Sequence, residues 1–235
     1  MLIIPTYNER DNIATLVSRI RSAVGDEPIF FVDDNSPDGT ADEIRRLQQR
    51  DPNVHLMARP GKGGYGSACR DAMKKILHEN LADYVIQSDA DLSHPPELLP
   101  RMLEMLKTCQ VVIGSRYVRG GGAKNWSLSR RTLSFGANLY ARLFTGVPVH
   151  DMTAGFVGYR TDVLRKINLD DIRSEGYAFL MEMKFTLHRS GTSFCEFPII
   201  FSERESGHSK FSRKILYEGM RFPLKALGKR VSGGS

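Results

Sequence analysis

The sequence predicts a single α/β domain, built on a mostly parallel sheet with helices on both of its faces. Its 235 residues suit one domain with a sizeable core. Short apolar runs alternate with amphipathic stretches over residues 1–115, and acid-bearing loops follow several of the apolar runs. Such alternation is typical of Rossmann-like, nucleotide-binding sheets, which bind ligands at the carboxyl ends of their strands.

The first half of the chain supplies the clearest elements. Apolar, β-prone runs predict five strands, at residues 2–5, 28–33, 54–58, 84–88 and 111–115. Between them, helical spacing of apolar residues predicts helices at 11–24, 40–49, 66–78 and 96–107. The first of these helices places Ile13, Leu16 and Ile20 on one face, and Asp38 or Thr40 is the expected cap of the second. We therefore expect residues 1–115 to form a nucleotide-binding half.

The alternation ends after Ser115. A Gly- and Arg-rich loop over 116–129 precedes predicted elements at 130–145 (helix), 155–159 (strand), 182–189 (helix) and 194–201 (strand). A basic amphipathic helix over 211–227, bent or broken near Pro223, closes the chain. We assign residues 116–210 to an acceptor-binding half and 211–230 to the C-terminal helix, all within one domain over 1–230, with a flexible tail at 231–235.

Composition restricts the function further. Hydrophobic residues make up 41% and charged residues 26% of the chain, which indicates a folded protein. The formal charge of +6 favours an anionic partner. Nucleic acid is not expected, because the sequence lacks aromatic-basic runs, a recognition helix and zinc-site spacing. Its three cysteines, Cys69, Cys109 and Cys195, are odd in number and widely spaced, so we expect no disulfide framework and a reducing compartment.

Targeting signals are also missing from the sequence. No run approaches the roughly 18 apolar residues of a membrane span. Polar residues follow Pro5 too closely for a signal peptide. We expect a cytoplasmic protein.

The strongest local signal is Asp89-Ala90-Asp91, directly after the strand predicted at 84–88. Two carboxylates at this point can converge on Mg²⁺ or Mn²⁺, with Ser93 adding a hydroxyl ligand or holding a metal-bound water. The alternative is a pair of solvated loop acids. We favour the metal, because acids after a buried strand are costly without a counter-ion.

Two further acidic loops follow the first two strands. In Pro5-Thr-Tyr-Asn-Glu9, Tyr7 can stack on a nucleotide and Glu9 can accept hydrogen bonds from ribose; the alternative is a turn with a helix cap. In the loop from Asp33 to Thr40, Asp33 or Asp34 can accept from a base N–H. Three such loops at successive strand ends predict one crevice.

A glycine-rich loop over 59–66 contains Lys62. It lacks the order of a P-loop, which disfavours a nucleotide triphosphatase. A purely structural loop and phosphate contact by Lys62 remain alternatives.

Together these residues resemble glycosyltransferase family 2, and within it the dolichol- or polyprenol-phosphate mannosyltransferases. The resemblance covers essentially the whole chain in order. It rests on the loops above and on Gly114-Ser-Arg-Tyr117, Gly120-Gly-Gly122 with Trp126, Asp151-Met-Thr-Ala-Gly-Phe156, Glu175-Gly-Tyr177, and Arg204 with Gly207 and Ser209-Lys210.

The resemblance implies an A-type glycosyltransferase fold and inverting transfer of mannose from GDP-mannose to a polyprenyl or dolichyl phosphate. It implies Mg²⁺ or Mn²⁺ held at Asp89 and Asp91; Ser93, our third candidate ligand, stands where the family often has Gln. It also implies that Pro5, Tyr7, Glu9 and one acid of the Asp33-Asp34 pair contact the donor nucleotide. We expect the donor site to include both of these acids and also Asp38, Lys62, Asp89, Ala90 and Asp91. The same reaction with a UDP-sugar donor is the alternative, and a non-catalytic nucleotide-sugar or nucleic-acid binding module is a distant one.

The acceptor chemistry sets a different requirement. A phosphate monoester is largely dianionic near pH 7 and hardly needs a base, but it does need cations. We expect these from Arg116, Arg130, Arg131, Arg204 and Lys210; the alternative for any one of them is a solvated surface position. Asp151 is expected to position a substrate or to act as a base. The expected catalytic residues are Asp91, Arg116 and Asp151.

A lipid acceptor also requires approach to a membrane. Apolar and cationic residues share the predicted C-terminal helix, which suits an interfacial helix or, alternatively, a helix packed on the core. We expect peripheral attachment at the cytoplasmic face of the plasma membrane in a prokaryote or of the endoplasmic reticulum in a eukaryote, either directly or through a separate anchoring subunit.

Overall fold

The computed structural model describes residues 1–202 and 213–232, with side chains of the last helix described over 217–230. The strands are β1 (Leu2–Thr6), β2 (Ile29–Asp33), β3 (Val54–Ala58), β4 (Tyr84–Gln87), β5 (Val111–Ser115), β6 (Gly122–Ala123), β7 (Val157–Arg160), β8 (Phe194–Pro198) and β9 (Ile200–Phe201). The helices are α1 (Arg10–Val24), α2 (Thr40–Gln48), α3 (Tyr65–Glu79), α4 (Leu99–Leu106), α5 (Leu128–Thr145), α6 (Thr161–Leu164), α7 (Gly176–Arg189) and α8 (Arg213–Ser232). Short 3₁₀ turns lie at Pro96–Leu98 and Leu169–Asp171.

Seven strands form the central sheet, in the order β3-β2-β1-β4-β7-β5-β8. All neighbouring pairs are parallel except those of β7, which is antiparallel to both β4 and β5. The predicted mostly parallel sheet is therefore confirmed. Strand order reverses between β1 and β4, and ligand crevices in such sheets open at this kind of reversal.

Alternate residues of the buried strands face opposite sides of the sheet. On one side, Ile3 and Phe30 pack with α3 and α7; on the other, Ile4 and Phe31 pack with α1 and α4. Both sides of the sheet are thus covered by helices, as the continuous apolar runs of its parallel strands require.

The strand predicted over 194–201 divides into two. β8 pairs with β5 as far as Pro198, whose ring nitrogen cannot donate to a ladder. The chain then passes to β9, which pairs with β6 in a separate two-stranded parallel sheet. The prediction of one strand was wrong, and β6 was not predicted.

The last helix is continuous through Pro223. Phe222 and Ala226, on either side of this proline, are buried, and Phe222 packs edge-on against Phe185 of α7. Core packing compensates for the hydrogen bond that proline removes. Of the two alternatives predicted at Pro223, a bend or a break, the break is therefore wrong.

The expectation of no disulfide was also wrong. Cys109 and Cys195 form a disulfide, with their Cα atoms 6.2 Å apart, whereas Cys69 is free and buried. Cys195 lies in β8 and Cys109 lies just before β5, and these two strands are adjacent in the sheet. A separation of 86 positions hides this proximity in the sequence. The expectation of a reducing compartment loses the support that it took from cysteine usage.

Candidate active site

The loop after β4 fixes the two predicted metal ligands. Asp91 is buried, and its Oδ1 accepts a hydrogen bond of 3.1 Å from the N–H of Ser93. Asp89 is partly exposed; its N–H donates to Nδ1 of His94, and its Oδ2 lies 3.9 Å from Nε2 of the same ring. Ala90 is buried between them. Both aspartates therefore lie in a loop that is stabilised by hydrogen bonds between its own residues.

The donor atoms of this loop suit a hard divalent cation. Ser93 is fully buried, and its Oγ has no hydrogen-bond partner among the described residues. An unpaired buried hydroxyl beside two carboxylates fits Mg²⁺ or Mn²⁺, which take oxygen ligands. Within residues 1–202 and 213–232, no group of three or more His, Cys, Asp or Glu side chains is placed to hold a metal. Substrate oxygens and water would have to complete the coordination of such an ion, as is common for Mg²⁺.

Tyr65 supports the loop after β4 that contains the predicted metal ligands Asp89 and Asp91, which we call the metal loop. The sequence analysis did not predict this role of Tyr65. Its phenol accepts a 2.9 Å hydrogen bond from Nε2 of Gln87 and is hydrogen-bonded to Asp89. Burial, together with the nearby charge of Asp89, raises the pKa of Tyr65 well above its usual range, so the phenol stays protonated and donates. The sequence signal was weak, because Tyr65 is simply the first residue of α3 after a glycine loop.

The loop after β1 lies beside the glycine-rich loop. Nζ of Lys62 stands 3.6 Å above the ring centre of Tyr7, a cation–π contact. Oε2 of Glu9 accepts from Nδ2 of Asn12, and the N–H of Glu9 donates to Oγ1 of Thr40 at the start of α2. The loop after β1 thus meets the loop after β2, two of the three loops predicted to form one crevice, and it also meets the glycine-rich loop; Pro5 lies within β1.

The acidic side chains of the loop after β2 accept hydrogen bonds from neighbouring residues. Asp33 accepts from the hydroxyl of Thr6 and from the N–H and hydroxyl of Ser36. Asp38 accepts from the N–H and hydroxyl of Thr40 and from the N–H of Arg10. Partial burial of Asp38 opposes these bonds, but they lower its pKa below the usual range. These acids shape the loop; their contact with a nucleotide remains a prediction.

The glycine-rich loop is fastened at both ends. Asp34 pairs with Arg59 and accepts from the N–H of Gly64 at 2.8 Å. Oε2 of Glu175 accepts from the N–H of Gly66 at 2.6 Å. Burial raises the pKa of Glu175, although Arg70 and this N–H act against the shift. The glycine-rich loop is therefore held in place by specific hydrogen bonds and an ion pair, rather than being a solvated connection.

Gly66 offers a direct test of this packing. A Cβ at residue 66 would lie 2.7 Å from the carbonyl oxygen of Ser174 and 2.9 Å from the ring of Phe179, so backbone would have to move. We expect Gly66→Ala to lower the free energy of unfolding by about 1–3 kcal/mol in denaturant titrations. Gly61→Ala, with nothing within 4 Å of its Cβ, is the matched control and should be nearly neutral. Equal stability of the two variants would contradict the described packing.

Arg116 and Asp151 form a buried ion pair. Nε and Nη2 of Arg116 donate to the two carboxylate oxygens at 2.8 and 2.7 Å, and its backbone N–H donates to Oδ2 at 3.0 Å. Nη2 also donates to Oγ1 of Thr153. The carboxylate is fully buried, and the arginine side chain is 9% exposed. Asp151 therefore holds one edge of the guanidinium, and in the described part of the chain no hydrogen bond involves Nη1 of Arg116.

This pair bears on the roles predicted for Asp151, which are positioning of a substrate and base catalysis. Burial alone would raise the pKa of Asp151, but the charge and hydrogen bonds of Arg116 outweigh it and hold that pKa below its usual range. A carboxylate in this state is a weak proton acceptor. The geometry therefore favours positioning of Arg116 over base catalysis.

Aromatic rings connect the metal loop to this pair. His94 packs edge-on against Phe201, with ring centres 5.8 Å apart, and Phe201 packs against Trp126 at 5.7 Å. The guanidinium of Arg116 lies 5.5 Å from the centre of Trp126 and 5.6 Å from that of Phe201. The predicted metal ligands and Arg116 therefore border one continuous cluster.

Trp126 stands at the basic end of that cluster. The guanidinium of Arg130 lies 4.3 Å over its ring, and Nε1 of the indole is buried without an acceptor among the described residues. Arg131 is exposed and donates to the carbonyl of Ala123. Arg204 and Lys210 lie outside the described residues. The structure thus brings Arg116 and Arg130 together around an unpaired indole N–H.

The sequence of this chain is similar to that of known glycosyltransferases. Residues 1–168 match the family model described as glycosyl transferase family 2. The chain belongs to this family. The glycosyltransferase is 43% identical over 220 residues to the undecaprenyl-phosphate mannosyltransferase of Micrococcus luteus, covering 94% of this chain and 90% of the relative. It is 42% identical to the polyprenol monophosphomannose synthase of Mycolicibacterium smegmatis, covering 94% and 83%. It is 34% identical to the dolichol-phosphate mannosyltransferase of Saccharomyces cerevisiae, covering 92% and 82%.

Solved structures confirm the A-type fold of this glycosyltransferase. Glucosyl-3-phosphoglycerate synthase from Mycobacterium tuberculosis, in complex with Mn²⁺ and UDP-glucose, superposes with a TM-score of 0.67. The match covers 97% of this chain and 78% of that one, at 18% identity, and at this identity it shows the fold alone. Across residues 1–202 and 213–232, no helix is long and apolar enough to cross a bilayer.

Proposed function

We propose that this glycosyltransferase transfers mannose from GDP-mannose to a polyprenyl phosphate, with inversion and with Mg²⁺ or Mn²⁺ bound at Asp89, Asp91 and Ser93. Relatives that are 34–43% identical over almost the whole chain carry names specifying mannose and a polyprenyl or dolichyl phosphate. The observation that supports the proposal is the aromatic cluster between the loop of Asp89 and Arg116, because a cation at that loop and a phosphate at Arg116 would then lie at two ends of one cluster.

The cation, when bound, neutralises charge on the departing diphosphate. The chain itself orients the acceptor. Asp151 holds one edge of Arg116, so that Nη1 can donate to a phosphate oxygen without the guanidinium turning. The indole N–H of Trp126 and the guanidinium of Arg130 supply further donors around the same position. An acceptor that is already dianionic near pH 7 then needs no proton acceptor from the protein.

The assay separates this proposal from transfer of another sugar. GDP-mannose, UDP-glucose and UDP-galactose are each supplied with a short polyprenyl phosphate, with Mn²⁺ or with EDTA. We expect product from GDP-mannose alone, and none in EDTA. Faster turnover of a UDP-sugar would replace the donor assignment, and turnover unaffected by EDTA would remove the metal.

Two packed helices support approach of the protein to a lipid surface. Along α5, Leu128, Phe135, Leu139 and Leu143 recur at helical spacing and are 45–80% exposed. Along α8, Tyr217, Met220, Leu224 and Leu227 also recur at helical spacing and are 37–62% exposed. The hydroxyl of Tyr140 donates to the carbonyl of Met220, so the helices are joined. We call these eight side chains the α5–α8 apolar face. Exposed apolar side chains beside lysines and arginines suit an anionic membrane interface.

Vesicle flotation tests this membrane contact. Wild-type protein is expected to float with anionic vesicles, and a Leu143→Glu, Leu224→Glu double variant is expected to stay in the dense fraction. Leu81→Glu is the matched control, because Leu81 is 41% exposed but lies in the turn between α3 and β4. No flotation of the wild type, or equal loss in the control, would contradict peripheral attachment through this face.

A further inference from the structure

Lys184 is the most deeply buried cation in the described part of the chain. It lies on α7 with no exposed surface, and its Nζ donates to the carbonyls of Met152 at 3.1 Å, Ala154 at 2.9 Å and Leu180 at 3.5 Å. Burial lowers the pKa of Lys184 to about 7, against the raising effect of Asp151 and Glu196. An amine in such a position is costly unless its hydrogen bonds are made. The three N–H donors of the protonated Lys184 amine match these three backbone carbonyls.

Two of those carbonyls belong to the turn over residues 151–155, which we call the 151–155 turn. At one end Asp151 holds Arg116. At the other end, the carbonyl of Gly155 accepts from Nε2 of Gln87 at 3.4 Å, and a Cβ on Gly155 would lie 3.7 Å from Oδ1 of Asp89. The turn therefore contacts Arg116 at one end and lies beside the loop of Asp89 at the other.

Other side chains hold the first part of the same turn from different directions. Glu196 of β8 accepts from the N–H groups of His150 and Asp151, and Oδ1 of Asn138 accepts from the N–H of Thr153. These contacts fix N–H groups, whereas Lys184 binds carbonyls. Lys184 thus supplies a polar link between the turn and α7, beside the apolar cluster that Met152 and Ala154 share with that helix.

We propose that Lys184 is a positioning residue for group transfer. By drawing the carbonyls of Met152 and Ala154 onto α7, it fixes the separation between Arg116 at one end of the 151–155 turn and Asp89 at the other. Neither end contacts the lysine, so each substrate keeps its own binding groups when the lysine is removed. What is lost is the alignment between the two substrates, and a displacement of about 1 Å can cost about 10²-fold in rate.

The kinetic test rests on the proposed transfer reaction. Lys184→Met keeps the length and volume of the side chain and removes its donors; Lys184→Gln returns two donors on a shorter chain. We expect Lys184→Met to lower kcat by about 10- to 100-fold, with KM for GDP-mannose within about twofold of wild type, and Lys184→Gln to recover part of kcat. Leu187→Ala, on the same helix and equally buried, is the control: it should lower Tm while kcat per folded molecule stays unchanged.

Hydrogen exchange gives a readout that needs no substrate. Amides over residues 151–156 should exchange faster in Lys184→Met than in wild type, and should be unchanged in Leu187→Ala. If wild-type protein transfers no sugar from any donor, the proposed function fails. The exchange measurement still tests whether Lys184 holds the 151–155 turn. Wild-type kcat and wild-type exchange in Lys184→Met would overturn the positioning role. So would a loss of kcat in Leu187→Ala as large as that in Lys184→Met.

Discussion

Asp91→Asn is expected to lower turnover by about 10²- to 10³-fold, because a carboxylate that holds a divalent cation contributes several kcal/mol of charge stabilisation. Asp91 is 3% exposed, and its Oδ1 accepts from the N–H of Ser93. An asparagine at position 91 keeps that oxygen and that hydrogen bond, so the loop should retain its shape. Activity is measured against Mn²⁺ concentration, with Tm recorded for each protein.

Asp83→Asn is the matched control for this change. Asp83 is exposed directly before β4, at the opposite end of the strand that leads to Asp91. Among the described residues, its hydrogen bonds are those that its backbone carbonyl accepts from Thr161. Its replacement should leave turnover and the Mn²⁺ dependence unchanged. Wild-type turnover of Asp91→Asn at low Mn²⁺ would remove the metal from this loop, whereas recovery at high Mn²⁺ alone would support weakened binding.

The crevice could be predicted from the sequence because it depends on a local pattern. Parallel strands end at the same edge of a sheet, so the loops that begin after β1, β2 and β4 had to meet once those strands were recognised. Tyr7 and Lys62 are in contact there, as are the loops of Glu9 and Thr40. Every one of these residues lies within a few positions of a predicted strand or helix end.

The acceptor side depended on long-range pairings and could not be predicted in the same way. Arg116 was predicted to bind phosphate and Asp151 to act separately, but β7 lies next to β5 in the sheet and brings the loops of the two residues together across 35 positions. Lys184 occurs in an apolar helix, where the sequence gives no sign that the 151–155 turn lies against it. The disulfide was missed for the same reason, because β8 pairs with β5.

Helical spacing alone also left the exposed face of α5 undetected. Leu128, Phe135, Leu139 and Leu143 have the periodicity of a helix that packs on a core, yet they are exposed. Periodicity shows which side chains share a face, but only the packed structure shows whether another element covers that face. The sequence analysis therefore considered an interfacial or a core-packed role for the last helix and did not detect the exposed apolar side chains of α5.

Asp151→Ala is expected to lower the free energy of unfolding by about 3–5 kcal/mol, because it leaves the guanidinium of Arg116 buried without its counter-charge. Asp162→Ala is the matched control: the Arg160–Asp162 pair is 42% and 50% exposed, and its loss should cost less than about 1 kcal/mol. The pKa of Asp151 is held below its usual range, so its stabilising effect is present above about pH 4 and is lost as pH falls through the lowered value. Denaturant titrations of wild type and Asp151→Ala should therefore converge in acid.

A second variant separates stability from activity. Arg116→Met combined with Asp151→Leu replaces the buried pair by apolar side chains, which often restores most of the stability lost on removing one partner. The neighbouring rings of Tyr117, Trp126 and Phe201 can pack against such a replacement. Transfer to polyprenyl phosphate should nonetheless stay lost, because no guanidinium remains at position 116 to bind the phosphate. Recovery of stability without transfer is the result expected of a pair retained to orient Arg116, whereas recovery of both would show that the acceptor does not use this arginine.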